Sequence, residues 1–274
     1  MDSLFSLKDK VVVITGAGGL LGRKHAEAVA SRGGIPVLLD VNLSSVTSLS
    51  KDISERFGIE SNGFQVDITK ENEVEKNCSE VLKIYGKIDA LVNNAANNPK
   101  IEESSTKNFS RLENFSTEVW MSDLAVGLTG AYLCSKYYGF AISKNQNGGS
   151  ILNISSDLGL IAPDQRLYRK KGVPDDLQPV KPVTYSVVKA GIIGLTRYLA
   201  TYWADKNVRC NAICPGGVEN QQNPEFLKEI ATRIPLGRMA QADEYQGLVI
   251  FLLSDSSSYI NGSIIAADGG RTVW

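Results

Sequence analysis

A doubly wound α/β fold with a parallel sheet is predicted by two observations. Short apolar runs trade places with helical periods along most of the chain, and a glycine cluster sits between the first such run and the first helix. The first strand covers Val11 to Ile14 and ends in Gly16, Gly18, Gly19 and Gly22. A helix from Leu21 to Ser31 stops at Gly33 and Gly34, and Pro36 to Leu39 form a second strand closed by Asp40. These pieces make one βαβ unit. The alternation then runs through a helix over 43–57, a strand near 63–66 ending at Asp67, a helix over 71–84 and a strand at 89–93. A polar loop from Ala96 to Asn114 leads into a long helix over 117–144 and the strand Ser150 to Ile154. Between Asp157 and Val183 no period is sustained and four prolines occur, which suits an irregular insertion. A helix from Thr184 to about Ala204, a strand at 208–213, helices near 224–232 and 242–253 and a last strand at 263–267 follow. The expected organisation is one domain over 1–274 with a lid-like insertion at about 157–183.

The chain has 274 residues, 43% of them apolar and 22% charged, which is enough to bury a substantial core. Twenty-nine Lys and Arg balance 30 Asp and Glu, so no overall charge favours nucleic acid or an anionic membrane. The first residues, MDSLFSLKDKVV, lack the layout of a secretory signal, and no later run is apolar enough for a membrane span. A cytoplasmic protein is expected. Four scattered cysteines argue against a disulfide framework, and with one histidine they argue against a zinc site, so no metal is expected. That histidine, His25 in RKHAEA, reads as a surface residue on an outward helix face.

In TGAGGLLG, Thr15 to Gly22, the spacing GxxGxxG falls between strand and helix, where a dinucleotide pyrophosphate binds. Gly16 allows the turn, Gly19 lets the backbone approach the phosphates, and Gly22 lets the helix press on the sheet. The helix N-terminus adds free N–H groups and partial positive charge. Asp40 stands where a carboxylate accepts from both adenosine ribose hydroxyls and repels a 2′-phosphate. NAD is therefore expected over NADP, although Arg23 lies close by in sequence. Asp67, at the third strand end, could bind the adenine amino group. Tyr185 and Lys189 in TYSVVKAG lie one helical turn apart on one face, downstream of a strand that ends in Ser155 and Ser156.

With these residues in order, the chain closely resembles the short-chain dehydrogenase/reductase family from about Lys8 to Gly270. TGAGGLLG, the Asp67 strand end, NNAA at 93–96, ISS at 154–156, YSVVK at 185–189, NAICPGG at 211–217 and DGG at 268–270 carry the resemblance. It implies a Rossmann-like sheet of about seven strands, a nicotinamide cofactor, and Ser156, Tyr185 and Lys189 as catalytic residues. It also implies that Lys189 holds the nicotinamide ribose, that Asn94 lies against the cofactor, and that Pro215, Gly216 and Val218 border the nicotinamide. Leu21 and Ile68 complete the expected cofactor contacts. The stretch Ala242 to Gly270 resembles the part through which family members form dimers and tetramers, so a homodimer or homotetramer is expected.

The chemistry stands apart from the resemblance. A tyrosine near pKa 10 must fall by about three to act as a base at neutrality, a difference of roughly 4 kcal/mol, and a nearby Lys189 ammonium favours the phenolate. Ser156 would hydrogen-bond the reacting oxygen while Tyr185 gives or takes the hydroxyl proton.

Four departures stand out. The glycine spacing is like that of the extended branch, whose members often handle nucleotide sugars, whereas the active site and C-terminus look compact. Gly127 stands where an asparagine usually holds a proton-relay water, which leaves backbone-bound water, another side chain or slow turnover as alternatives. Ser156 and Tyr185 are 29 positions apart, and the insertion between them carries Arg166, Arg169, Lys170, Lys171 and Lys181 against Asp164, Asp175 and Asp176. Asn220 replaces a threonine that often bonds the nicotinamide amide. Asn97, Gln165 and Arg166 are the candidate substrate contacts.

The function expected is an NAD-dependent oxidoreductase that interconverts a secondary alcohol and a ketone on a small, polar, sugar-like substrate. The lid and loop are similar to reductases of bacterial surface-sugar synthesis, including nonulosonate pathways. A catalytically impaired NAD-binding regulatory or structural subunit and a redox-neutral sugar epimerase or dehydratase are the alternatives.

Overall fold

The computed structural model describes residues 3–97 and 109–274. Seven strands, all parallel to their neighbours, form a single sheet in the order β3-β2-β1-β4-β5-β6-β7. The strands are β1 (Val11–Thr15), β2 (Ile35–Asp40), β3 (Asn62–Gln65), β4 (Ala90–Asn93), β5 (Gly149–Ile154), β6 (Val208–Pro215) and β7 (Ile264–Ala267). Between them lie α1 (Leu20–Ser31), α2 (Leu43–Phe57) and α3 (Glu71–Tyr85), then α4 (Thr117–Leu124), α5 (Gly130–Cys134) and α6 (Phe140–Ile142). After β5 come α7 (Val183–Tyr202), α8 (Pro224–Ala231) and α9 (Gln246–Leu253). Part of the expected loop 96–114 lies outside the described residues.

The alternation of side chains along a strand sends successive valines to opposite layers. Val12 and Ile14 of β1 pack with Ala26 and Val29 of α1, Leu49 and Ile53 of α2 and Val249 and Leu252 of α9. Val11 and Val13 pack on the other face with Val74 and Val81 of α3, Tyr138 and Ile142 of the rod, and Leu199 of α7. Both faces of the sheet are thus covered, which is why its central strands read as unbroken apolar runs.

The helix expected over 117–144 is one rod interrupted twice. α4, α5 and α6 are joined by π turns at Ala125–Thr129 and Ser135–Gly139, each widening the coil locally. Helix α9 begins at Gln246 rather than near 242.

His25 corrects its expected exposure: it is buried on α1, and burial lowers its pKa to about 4, with the Asn94 side chain opposing. The buried residues of α1 include Gly22, His25, Ala26, Ala28, Val29 and Ala30, an arc wider than one face. The extra contact comes from the C-terminal segment, where Gln246 Nε2 donates to the Lys24 carbonyl at 3.1 Å.

The segment between β5 and α7 is irregular, with three short 3₁₀ turns. It is fastened to α8 and to itself. Leu167 and Tyr168 pack with Phe226, Ile230, Ile234 and Met239, and Asp164 accepts from Arg233 at 2.8 Å. Gln178 ties the loop internally, donating to the carbonyls of Lys170 and Val173 and accepting from the Lys170 N–H. The four cysteines are free and buried, and no cluster of metal-binding side chains occurs among the described residues. Nor is any helix among them long and apolar enough to cross a membrane.

Candidate active site

A cleft of about 650 Å³ crosses the carboxyl ends of the strands at the neighbouring pair β1 and β4, from which the chain continues to opposite halves of the sheet. At one end lie the glycine turn after β1 and Asp40 at the end of β2. At the other lie Ser156 after β5, Tyr185 and Lys189 on α7, and the turn after β6.

The glycine turn fits a bound pyrophosphate because its geometry excludes side chains. Gly16 has φ +61°, and a Cβ on it would meet the Ala95 backbone at 2.9 Å. A Cβ at Gly22 would fall 2.2 Å from the Gly16 carbonyl oxygen, so helix α1 could not pack this tightly on the turn. Asp40 accepts from the Gly18 N–H and the Asn42 N–H, each at 3.0 Å, so its carboxylate is fixed at the edge of the cleft. Arg23 points back to the turn, its Nε donating to the Gly18 carbonyl at 3.3 Å. Asp67 accepts from both the N–H and the hydroxyl of Thr69. Asn94 donates to the carbonyls of Thr15 and Gly16, which ties the end of β4 to the glycine turn. Leu21, Ile68, Pro215, Gly216 and Val218 line the same cleft with Gly16, Gly19, Gly22, Asp40, Asp67 and Asn94. Asn220 lines it too, with its N–H bound to Gln222 Oε1.

Ser156, Tyr185 and Lys189 converge at the far end. The Lys189 ammonium donates to the Ile154 carbonyl at 2.9 Å and sits 5.8 Å from the centre of the Tyr185 ring. Ser155, next to Ser156, donates to the Lys189 carbonyl and pins β5 to α7. Burial raises the Tyr185 pKa, and a hydrogen bond with Ser156 opposes the rise. Burial lowers Lys189 to about 8. The phenol is therefore shifted away from the expected acidity, because loss of solvation and the nearby Asp157 charge both raise it.

Gly127 lies in the first π turn of the rod, and a Cβ there would fall 2.4 Å from Val188 Cγ1. The place of an asparagine side chain is thus taken by valine. The nearby polar groups are Asn97, Asp123 and Thr184. Asp123 is buried and accepts from Asn97 Nδ2 at 3.1 Å and from the Thr184 hydroxyl at 2.6 Å. These residues flank a small cavity of about 10 Å³ against Tyr185 and Lys189, close to the room one water needs.

Of the three candidate substrate residues, Asn97 lines the cleft. Gln165 does not, since its side chain accepts from the Lys181 N–H. Arg166 does not either; it is exposed and forms a two-pronged pair with Asp164. The insertion instead brings Tyr168 and Lys181 to the cleft, and the Lys181 ammonium stands 3.9 Å above the Tyr185 ring. Burial lowers Lys181 to about 8 as well. Asp157 and Arg271 also line this end, joined by an ion pair of 2.7 Å. The positive charge of the insertion signalled Lys181 in the sequence, whereas nothing local pointed to Asp157 or Arg271.

Residues 10–168 match the family model described as short chain dehydrogenase, and residues 177–272 match that described as enoyl-(acyl carrier protein) reductase. An NAD-dependent glycerol dehydrogenase of Listeria innocua is 31% identical, with 99% of this chain and 97% of the relative covered. An NADP-dependent mannitol dehydrogenase of Hypocrea jecorina is also 31% identical, covering 98% of this chain and 94% of its own. Among solved structures, a putative gluconate dehydrogenase from Agrobacterium tumefaciens superposes with a TM-score of 0.85 at 26% identity, over 99% of each chain. A Rossmann-like seven-stranded sheet, a glycine turn and a serine, tyrosine and lysine in one cleft agree with these matches: the chain belongs to the short-chain dehydrogenase family of oxidoreductases, which use a nicotinamide cofactor.

Proposed function

We propose that the protein is an NAD-dependent dehydrogenase or reductase that interconverts a secondary alcohol and a ketone on a small, polar, sugar-like substrate. The observation that carries this reading is the meeting of Ser156, Tyr185 and Lys189 at the end of a cleft whose other end is the glycine turn and Asp40. The nicotinamide would supply or accept the hydride.

The protein's own residues handle position and protons. The N-terminus of α1 and the Gly16–Gly22 turn would receive the pyrophosphate, Asp67 and Ile68 the adenine, and Pro215, Gly216 and Val218 the nicotinamide. Asp40 would accept from the ribose hydroxyls and repel a 2′-phosphate, which favours NAD. Lys189 would hold the nicotinamide ribose, as its place beneath Tyr185 allows. In reduction, Tyr185 gives its hydroxyl proton to the substrate oxygen; in oxidation it takes that proton back. Ser156 holds the same oxygen in place.

A polar substrate is supported by the polar and charged groups that line the reacting end, Asn97, Tyr168, Lys181 and Arg271, beside an apolar wall that includes Phe226, Ile230 and Met239. The polyol and gluconate dehydrogenases among the similar proteins agree with that class. The insertion would act as a fixed roof at this end, since Leu167 joins it to α8 and Asp164 to Arg233 just beyond that helix. A homodimer or homotetramer is proposed, supported by the open outer edge of β7 and the exposed Val273 and Trp274 beside it in sequence. A cytoplasmic location is proposed with it.

The test is a screen of ketoses, amino sugars and sugar acids for change in NADH absorbance. Turnover with NADH that is lost in Tyr185→Phe supports the reading. Equal rates for both proteins would favour a binding subunit, and product formation without net NADH change would favour a redox-neutral enzyme.

A further inference from the structure

Resting on the reading of this cleft as an oxidoreductase site, we infer that the substrate carries a carboxylate, and that Arg271 binds it while Asp157 holds Arg271 in place.

Arg271 opens the last 3₁₀ turn, and its backbone is fixed from below. The Asp268 carboxylate accepts from the Gly270 N–H at 2.9 Å and from the Thr272 N–H at 2.8 Å. The side chain enters the cleft and is 8% exposed. Its Nη1 donates to Asp157 Oδ2 at 2.7 Å, and Asp157 is itself 2% exposed. The other oxygen of that carboxylate accepts from the Ser156 hydroxyl at 2.7 Å and the Leu158 N–H at 2.8 Å. Asp157 is therefore close to saturated as an acceptor.

The guanidinium is not saturated. It has five N–H donors in a planar fork, and Nη1 makes its one hydrogen bond to the described residues. Nε and Nη2 make none, yet neither is among the buried atoms left without a partner. They therefore keep access to solvent, in a side chain that lines the cleft. A buried arginine costs free energy unless paired, and pairing here has used one edge of the group and left the other for a ligand. Two N–H groups on one edge of a guanidinium match the two oxygens of a carboxylate.

The surrounding charge favours an anion. Among the described residues lining the cleft, the acidic ones are Asp40, Asp67 and Asp157, and the first two belong to the glycine-turn end. The described cationic side chains at the reacting end are Lys181, Lys189 and Arg271. Arg271 is also joined to Ser156 through a single carboxylate, so a group on its open edge lies near the oxygen that Ser156 and Tyr185 handle. A hydroxy or keto acid, with its carboxylate near the reacting carbon, fits this spacing.

The experiment titrates the full-length protein, saturated with NADH, with gluconate and tartrate, with the neutral polyols glucitol and threitol, and with glycerol 3-phosphate. Binding is read by calorimetry. The expected result is that the carboxylates bind at least about tenfold more tightly than the polyols. Arg271→Lys, which keeps the charge but loses the fork, should weaken the carboxylates by about tenfold or more and leave the polyols and NADH unchanged. Arg271→Met, checked for an intact fold by circular dichroism, should do the same. Carboxylates binding no better than polyols, carboxylate affinity unchanged in both variants, or preference for the phosphate ester would each overturn the inference while leaving the cofactor reading intact. Failure of NADH itself to bind would instead overturn the function proposed above, and the inference with it.

Discussion

The Lys189 ammonium sits 5.8 Å from the centre of the Tyr185 ring and spends a hydrogen bond on the Ile154 carbonyl at 2.9 Å. The lysine is thus anchored to the end of β5 as well as set one turn from the tyrosine on α7. Its charge is held in a fixed place, while burial raises the pKa of the phenol. In the proposed reduction Tyr185 is the protonated donor, a form that its raised pKa favours.

Reduction should therefore be limited at high pH by lysine rather than tyrosine. Lys189 and Lys181 are both lowered to about 8 by burial. Each carries its positive charge below that value and loses it above. The rate of ketone reduction under saturating NADH is expected to be flat from pH 6 to 7.5 and to fall through about pH 8. A pH–rate profile of wild type against Lys181→Met separates the two, since Lys181→Met should retain the part of the fall that belongs to Lys189.

Gly127→Asn should not improve the enzyme. Its Cβ would meet Val188 Cγ1 at 2.4 Å inside a packed π turn. Overpacking of this kind costs about 1–3 kcal/mol. The expected outcome is a lower urea midpoint and no gain in kcat. Gly127→Asn combined with Val188→Ala should recover most of the stability, which denaturant titration of the two variants would show.

His25 should make the fold acid-sensitive. Its pKa is about 4 when folded, against the ordinary 6.5 of an unfolded chain. Between those values the unfolded chain binds more protons, so stability is complete above about pH 6.5 and declines as pH falls towards 4. The shift corresponds to roughly 3 kcal/mol. Replacement by leucine should flatten the dependence over that window, as measured by urea unfolding at pH 7 and pH 4.5.

Asp40 should set the choice of cofactor. Its carboxylate is held by the N–H groups of Gly18 and Asn42, so it cannot easily turn away from a 2′-phosphate. Asp40→Ser should raise affinity for NADPH relative to NADH by about tenfold or more. Fluorescence titration with both dinucleotides checks it, and equal affinity of the wild type for both would remove the role given to Asp40.

Local pattern explains why so much of the fold was legible. Val11 to Ile14 form a strand buried on both faces, and the helix expected over 43–57 is α2 with those bounds. Asn42 caps that helix by accepting from the Ser45 N–H, and Gly58 ends it in the left-handed region. Glycine turn, Tyr185 and Lys189 were readable for the same reason, since each depends on short spacings. What escaped was set by distant contacts. Arg271 meets Asp157 across 114 positions of sequence. His25 reads as exposed because helix α9, more than 200 residues away, packs on a second face of α1. Gln165 and Arg166 were plausible by composition, but Asp164 and the Lys181 backbone engage them elsewhere. The π turns of the rod have no marker in an otherwise regular helical period.

The most direct measurement compares single turnovers of wild type and Tyr185→Phe with NADH and a ketone substrate found by the screen. Both proteins should bind NADH equally. The variant should consume it about 10²–10⁴-fold more slowly, the range expected for loss of a positioned acid. NADH consumed at the same rate by both proteins would contradict the assignment of the proton to Tyr185.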